Sequence, residues 1–193
     1  MNKETVLNIF KKYNALLEGH FSLSSGLHSP NYLQCAILLQ YPDVSEILCK
    51  EIADNFKSDG ITVVAGPAIG GILVAYEIAR AIKCRSIFTE KENGRMTLRR
   101  GFEINPLDRV LVVEDVITTG GSVLKILELI KEKKAYIAGV GSIVDRSASV
   151  ANFGHSLGVK FVKLLTINVR VYKQEECPLC KKNIPLTKPG SRK

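Results

Sequence analysis

The sequence predicts an α/β fold: a doubly wound, mainly parallel sheet with helices on both faces and a small N-terminal lid, or hood, region. Three observations carry this expectation. From Ile61 to Val144, short apolar runs rich in β-branched residues alternate with amphipathic stretches, the order that a parallel sheet with crossover helices requires. Runs such as Val110–Val113 show no polar alternation, as expected of strands covered on both faces. Two of the runs lead into glycine-rich turns, Gly66–Gly71 and Gly120–Gly121, each of which opens a helix.

Taken in order, residues 3 to 18 set Val6, Ile9, Phe10, Tyr13, Leu16 and Leu17 on one helical face, and Gly19 supplies a stop. The polar stretch from Gly19 to Ala36 reads as a loop leading into a short strand. Pro42 opens a second helix, through about Lys57, at the first-turn position that proline tolerates. Ile61–Ala65 reads as a buried strand, followed by the Gly66–Gly71 turn and a helix to Ala81. Arg85–Thr89 is the next strand and Glu90–Arg100 a long basic loop. Then come the strand from Val110, a helix over Val123–Lys133, and strands over Ala135–Val144 and Lys160–Ile167. Residues 1–193 are expected to form a single domain: helices and lid elements over 1–60, an α/β core over 61–170 and a basic tail over 171–193.

Composition narrows the function classes. No apolar run approaches bilayer length, and the start of the chain mixes charged and apolar residues without a signal-peptide core, so a cytoplasmic protein with no membrane partner is expected. Five scattered cysteines do not form a secreted disulfide framework. The net charge of +8 is concentrated. Lys181–Lys193 carries +5 and Arg85–Gly101 carries +3, which together match the excess. The first segment reads as a solvated tail, and the second suits a polyanionic small molecule. No helix-turn-helix, aromatic RNA-binding signature or paired zinc knuckle accompanies the charge, so nucleic acid is not an expected partner.

The most informative stretch is Val110–Ser122, VLVVEDVITTGGS. Glu114 and Asp115 sit at the carboxyl end of a buried strand, where open α/β sheets place their ligands. Val116, Ile117, Thr118, Thr119, Gly120, Gly121 and Ser122 then lead into a helix whose free amides and hydroxyls can hold a phosphate. A phosphate cradle beside two carboxylates suits a phosphorylated sugar, with its anion on the amides and its hydroxyls on the acids. The stretch resembles the thirteen-residue signature of the type I phosphoribosyltransferases, with Glu114 where many members carry an aspartate. That resemblance implies a phosphoribosyltransferase fold that binds 5-phosphoribosyl 1-diphosphate (PRPP), with Mg²⁺ carried on the diphosphate and ribose hydroxyls.

Three further segments resemble the orotate phosphoribosyltransferases within that group. Gly66–Gly71 is similar to the family's diphosphate-binding loop, which implies that Gly70 and Gly71 meet PRPP; Gly70 stands where familiar bacterial members place a lysine. The stretch FTEKENGRMTLRRGF is similar to their mobile basic loop. This implies that Lys91 acts on the diphosphate in a neighbouring subunit's site, hence a homodimer with shared active sites. Arg95, Arg99 and Arg100 replace the family's further lysine and histidine; arginines neutralise a diphosphate but are poor proton donors. The pattern F-x-L-x-S-G-x-x-S-P from Phe21 to Pro30 matches the family's lid over the pyrimidine, implying base contacts from Ser25 and Gly26 and stacking by Tyr32. Ser24 occupies another position that is lysine in familiar members. Arg146, ending the strand at Asp145-Arg146, matches the family's orotate-binding arginine, and the resemblance implies that Thr118 is the other residue on the orotate side.

Together these imply transfer of a phosphoribosyl group from PRPP to orotate in pyrimidine nucleotide synthesis, with Lys91, Glu114 and Asp115 as the catalytic residues. A phosphoribosyltransferase for another base would share the main motif but not the lid together with Arg146. A non-enzymatic PRPP-sensing regulator would want a DNA-binding extension, for which the residues before Phe21 leave little room. The tail is unaccounted for. Cys177-Pro178-Leu179-Cys180 has the form of one zinc knuckle, and no second pair stands at knuckle spacing. Either two subunits supply a pair each, or the thiols are free or form a labile disulfide. His20, His28 and His155 have no spacing that marks them as ligands.

Overall fold

Asn2 starts the first helix, α1 (Lys3–Lys12), its side chain accepting a hydrogen bond from the Thr5 amide at 2.8 Å. A computed structural model describes residues 1–23, 26–147, 157–168 and 170–189 of the chain. The expected helix to residue 18 is cut short because Asn14 takes the left-handed conformation (φ 53°), a helix stop that precedes Gly19. Leu16 and Leu17 therefore enter β1 (Leu16–Ser22), which pairs antiparallel with β2 (His28–Leu33). The stretch expected to be mostly loop is thus a two-stranded hairpin. Next come α2 (Ala36–Leu39) and α3 (Pro42–Asp54), which ends slightly before the expected Lys57.

The core follows the expected alternation: β3 (Val63–Pro67), α4 (Gly70–Ile82), β4 (Arg85–Glu92), β5 (Arg95–Leu98), β6 (Arg109–Ile117), α5 (Gly121–Glu132), β7 (Tyr136–Asp145) and β8 (Phe161–Thr166). These strands form one six-stranded sheet in the order β5-β4-β3-β6-β7-β8, parallel throughout except for β5 at the edge. A last short helix, α6 (Pro178–Lys181), lies in the tail.

Successive residues of the central strands feed opposite layers. Val64, Leu111 and Val113 join α1, α3 and α4 on one face, while Val63, Ala65, Val110 and Val112 join Val123, Ile126 and Ile130 of α5 on the other. The strands lack polar alternation because both faces are covered. Glu90–Arg100, expected as a long basic loop, is largely a hairpin: Glu92 pairs with Arg95 around Asn93-Gly94, whose φ values of 48° and 81° are those a type I′ turn needs. Among the described residues, no helix is long and apolar enough to cross a membrane.

On β7, Gly139 and Gly141 make room for α3 and the turn after it. A β-carbon on Gly139 would stand 2.6 Å from the Phe56 ring, and one on Gly141 2.8 Å from Ile52. Phe56 is fully buried in this seam. Phe56→Ala should lower unfolding free energy by about 3–5 kcal/mol in urea titrations, the usual range for emptying a buried aromatic site; a loss below about 1 kcal/mol would show that the seam closes without the ring.

Candidate active site

The sheet order reverses between β3 and β6. From β3 the chain crosses outward through α4 to β4, and from β6 it crosses the other way through α5 to β7. The carboxyl ends of β3 and β6 therefore flank a crevice, the usual ligand position in such sheets. The turn after β3 contains a cis Ala68–Ile69 peptide and is closed by its glycines. An added β-carbon on Gly66 would lie 2.3 Å from the Gly71 carbonyl oxygen, and one on Gly71 would lie 2.6 Å from Pro67. At Gly70 it would meet the Asp115 carboxylate at 2.5 Å. Asp115 thus lies directly on the backbone of the β3–α4 turn, and a side chain at position 70, such as the lysine of familiar family members, requires the Asp115 carboxylate to turn aside.

Strand β6 extends past both acids to Ile117. Glu114 and residues 116–123 line a shallow, open depression. Burial, then the neighbouring Asp115 charge, pushes the Glu114 carboxyl up to about 9, so it keeps its proton at neutral pH. Gly120 stands before α5 in the left-handed conformation (φ 78°), and no side chain caps the helix. The first helical hydrogen bond there runs from the Leu124 amide to the Gly120 carbonyl at 2.9 Å. The first-turn amides of Gly121, Ser122 and Val123 are left for an anion, with the helix dipole favouring negative charge at that end.

Arg146 follows β7 and is tied back to β6, its amide donating to the Ile117 carbonyl at 2.8 Å. Its guanidinium is half-buried beside Tyr32 and Cys35, and burial pushes its pKa down. The buried Nε has no hydrogen-bond partner, and no carboxylate pairs with the guanidinium, among the described residues. Asp145 is turned elsewhere: its carboxylate accepts from Lys163 and from the amide and hydroxyl of Ser147. Although burial opposes it, those partners hold Asp145 below the usual carboxylate range. The Cys35 thiol is pushed well up by burial and then by the charges of Asp115 and Glu114, and it reaches the Asp115 carbonyl at 3.9 Å. Cys35 therefore stands between Arg146 and the acidic pair.

On the basic hairpin, Glu90 accepts from Arg100 at 2.8 Å and pairs with Arg99 at 3.9 Å. Lys91 and Arg95 are exposed and have no ion-pair partner among the described residues. The hairpin tip is held to α5 by Lys125, which donates to the Gly94 carbonyl at 2.6 Å.

A family model, the phosphoribosyl transferase domain, matches residues 38–153. An orotate phosphoribosyltransferase of Caldicellulosiruptor saccharolyticus is 54% identical over 193 residues, 100% of this chain and 99% of that protein. One of Pelotomaculum thermopropionicum is 55% identical, with both chains fully covered. The chain belongs to the orotate phosphoribosyltransferase family. The crystal structure of an orotate phosphoribosyltransferase from Aeropyrum pernix superposes with a TM-score of 0.71 at 25% identity, covering 84% of this chain and 93% of that one.

For a chain of the orotate phosphoribosyltransferase family, the sequence-derived residues divide clearly. Glu114, Thr118–Ser122 and the Gly70 turn converge on the crevice through Asp115, and Arg146 joins them by way of Cys35. Gly26, at φ 80°, shapes the hairpin connection, whereas Ser24, Ser25 and His155 lie outside the described residues. Cys35 went unnoticed in the sequence, where nothing distinguishes it from a core cysteine. The histidines read as isolated are not so: His20 and His28 meet Cys177 and Cys180 in a cluster away from the crevice.

The position of Glu114 has a pH consequence. Its folded pKa of about 9 lies above the ordinary 4.5, so the folded chain keeps a proton that the unfolded chain releases within that window. The stability due to this group is full below pH 4.5 and declines as pH rises through about 9. In thermal melts Glu114→Gln should gain on the wild type as pH rises across that window. A difference independent of pH would contradict the burial of an ionisable carboxyl here.

Proposed function

We propose that this chain transfers the 5-phosphoribosyl group of PRPP to orotate, giving orotidine 5′-monophosphate and diphosphate. The bond from ribose C1 to the diphosphate oxygen breaks, with the diphosphate departing with the bonding pair, and a bond from C1 to an orotate ring nitrogen forms as that nitrogen gives up its proton to the diphosphate or to water. The observation that carries this reading is Arg146: a half-buried guanidinium near Tyr32, unpaired among the described residues and separated from the acid pair by Cys35. A planar fork of donors in that setting suits a flat base bearing a carboxylate and ring carbonyls.

The remaining roles follow from chemistry at the crevice. The 5′-phosphate takes the amides of the Thr118–Ser122 loop and the α5 N-terminus. Asp115 and Glu114 take the ribose hydroxyls, Asp115 accepting and protonated Glu114 able to donate. The backbone at Gly70 and Gly71, Lys91 and Arg95 meet the diphosphate. With an oxocarbenium-like transition state, the protein's work is mainly placement and charge stabilisation. The all-oxygen donor set of the acid pair, set against the bare turn at Gly70, fits a Mg²⁺ that keeps most of its waters and travels on the diphosphate, where it would neutralise the leaving group. We further infer a homodimer in which Lys91 serves the neighbouring subunit. Leu73 and Tyr76 on one side of α4, with Ile69 just before it, are exposed and support such a contact. Free, buried Cys35 and Cys49 fit a cytoplasmic setting.

The test is a panel of bases offered with PRPP and Mg²⁺: loss of orotate absorbance with release of diphosphate is expected. Turnover of adenine, hypoxanthine or uracil in place of orotate would overturn the assignment, and PRPP binding without turnover of any base would indicate a sensor. Arg146→Ala should lower kcat/KM for orotate on the order of a hundredfold, the scale for truncating one partner of a buried charged pair, while PRPP affinity changes little. Equal losses toward both substrates would place Arg146 elsewhere in the site.

A further inference from the structure

The tail and the N-terminal hairpin meet at four side chains that the proposed reaction does not use. Segment Tyr172–Thr187 wraps the hairpin along its backbone. The Tyr172 and His28 amides donate to each other's carbonyls at 2.9 and 2.8 Å, the Ser22 amide donates to Thr187 at 2.9 Å, and the Thr187 amide donates to His20 at 2.8 Å. Between these ties, Cys177 stands at the start of α6 and Cys180 within it. Their sulfurs face His20 of β1 and His28 of β2, and one ligand-capable atom from each of the four residues lies within 4.8 Å of all the others.

The individual distances bracket those of a tetrahedral coordination sphere, with all four ligand atoms within 4.8 Å of one another. His20 Nε2 lies 2.9 Å from His28 Nδ1, 3.6 Å from Cys177 Sγ and 3.8 Å from Cys180 Sγ, and Cys180 Sγ lies 3.2 Å from His28 Nδ1. Tetrahedral zinc, bonded to nitrogen at about 2.0–2.1 Å and to sulfur at about 2.3 Å, spaces its ligand atoms roughly 3.3–3.8 Å apart. The His20 tautomer is also set. Its other ring nitrogen, Nδ1, lies 2.8 Å from the Ile184 carbonyl, which can only accept, so Nδ1 carries the proton and Nε2 turns its lone pair into the cluster. A metal-bound histidine ordinarily has such a partner behind it. His20, His28 and Cys177 are almost fully buried, at 3%, 4% and 0% exposure.

We propose that His20, His28, Cys177 and Cys180 form a structural zinc site that clamps the C-terminal tail onto the N-terminal hairpin. Binding releases the two thiol protons, and two thiolates with two neutral imidazoles leave the closed site with no net charge, which suits its burial. All four positions are filled by protein, so the ion holds structure and does not activate water. The clamp also answers a physical need. A two-stranded hairpin is marginal by itself, and β1–β2 forms its own sheet, separate from the central one. Tyr32 on that hairpin lies beside Arg146, so the site fixes the lid over the crevice from the opposite end of the chain. The cysteine pair does not need a partner subunit to complete it.

The test is metal analysis of the full chain, produced without a histidine tag and purified reduced, air-free and without chelators. About one zinc per chain is expected, lost in the Cys177→Ser/Cys180→Ser double variant. Replacement by Co²⁺ in the wild type should give the intense visible bands and thiolate-to-metal charge-transfer absorption of a tetrahedral Cys₂His₂ site. Zinc far below one per chain with both thiols reactive, a Cys177–Cys180 disulfide under those conditions, or zinc retained by the double variant would overturn the proposal. If the double variant does not fold, the wild-type Co²⁺ spectrum decides: absence of the thiolate band rules the site out. None of these outcomes depends on which base the crevice accepts.

Discussion

The parallel pairing of β3 with β6 is the constraint on which the rest of the molecule depends. It brings Val63 level with Val110 and Ala65 level with Val112 at the centre of the sheet, and so carries the two strands' carboxyl ends out side by side. The chain then leaves in opposite directions, and the gap between the departing crossovers is the crevice. The closeness of the two ends is measurable at one point: the Asp115 carboxylate rests where a side chain at residue 70 would begin. Gly66 and Gly71 are therefore demanded by packing against rigid atoms, before any ligand is considered. Gly66 and Gly71 close the turn on itself, and Gly70 yields its volume to Asp115.

Around that junction the electrostatics divide the work. The acid pair occupies the middle, with Glu114 neutral by burial. An uncapped helix start follows it in the chain, and Arg146, without a carboxylate partner among the described residues, is tied to β6 at Ile117. Asp145 would be the natural partner for Arg146 by adjacency in sequence, yet Lys163 and Ser147 occupy it. The arginine is thereby kept for a ligand. Elsewhere the basic hairpin spends Arg99 and Arg100 on its own Glu90 and leaves Lys91 and Arg95 exposed.

Most of the sheet was legible because buried parallel strands and crossover helices write their periods directly into the chain. The phosphate loop was legible for the same reason: Val110–Ser122 is contiguous, and its chemistry is local. What was not legible depends on contacts distant in sequence or on single backbone conformations. Asn14 in the left-handed region ended α1 early, against an apolar pattern that continued to Leu17. Asn93-Gly94 is a recognisable hairpin turn, but the dense charge around it masks the strand pairing on either side. Cys35, which bridges the acid pair and Arg146, carries no mark of its own. The His20–His28–Cys177–Cys180 cluster joins residues more than 150 positions apart, and only the tail's return along the hairpin assembles it. Spacing rules find metal sites whose ligands come in local pairs; here the histidine pair is split by a strand turn.

The central claim is that one crevice binds sugar phosphate and base in a fixed order: 5′-phosphate on the α5 loop, ribose on Glu114 and Asp115, base on Arg146. A crystal structure with orotidine 5′-monophosphate bound tests it most directly. The account predicts the phosphate at the amides of Thr118–Ser122, both ribose hydroxyls at the acid pair, and the base carboxylate or a ring carbonyl on the Arg146 guanidinium. A nucleotide bound with its phosphate at the Gly66–Gly71 turn, or with its base away from Arg146, would contradict it.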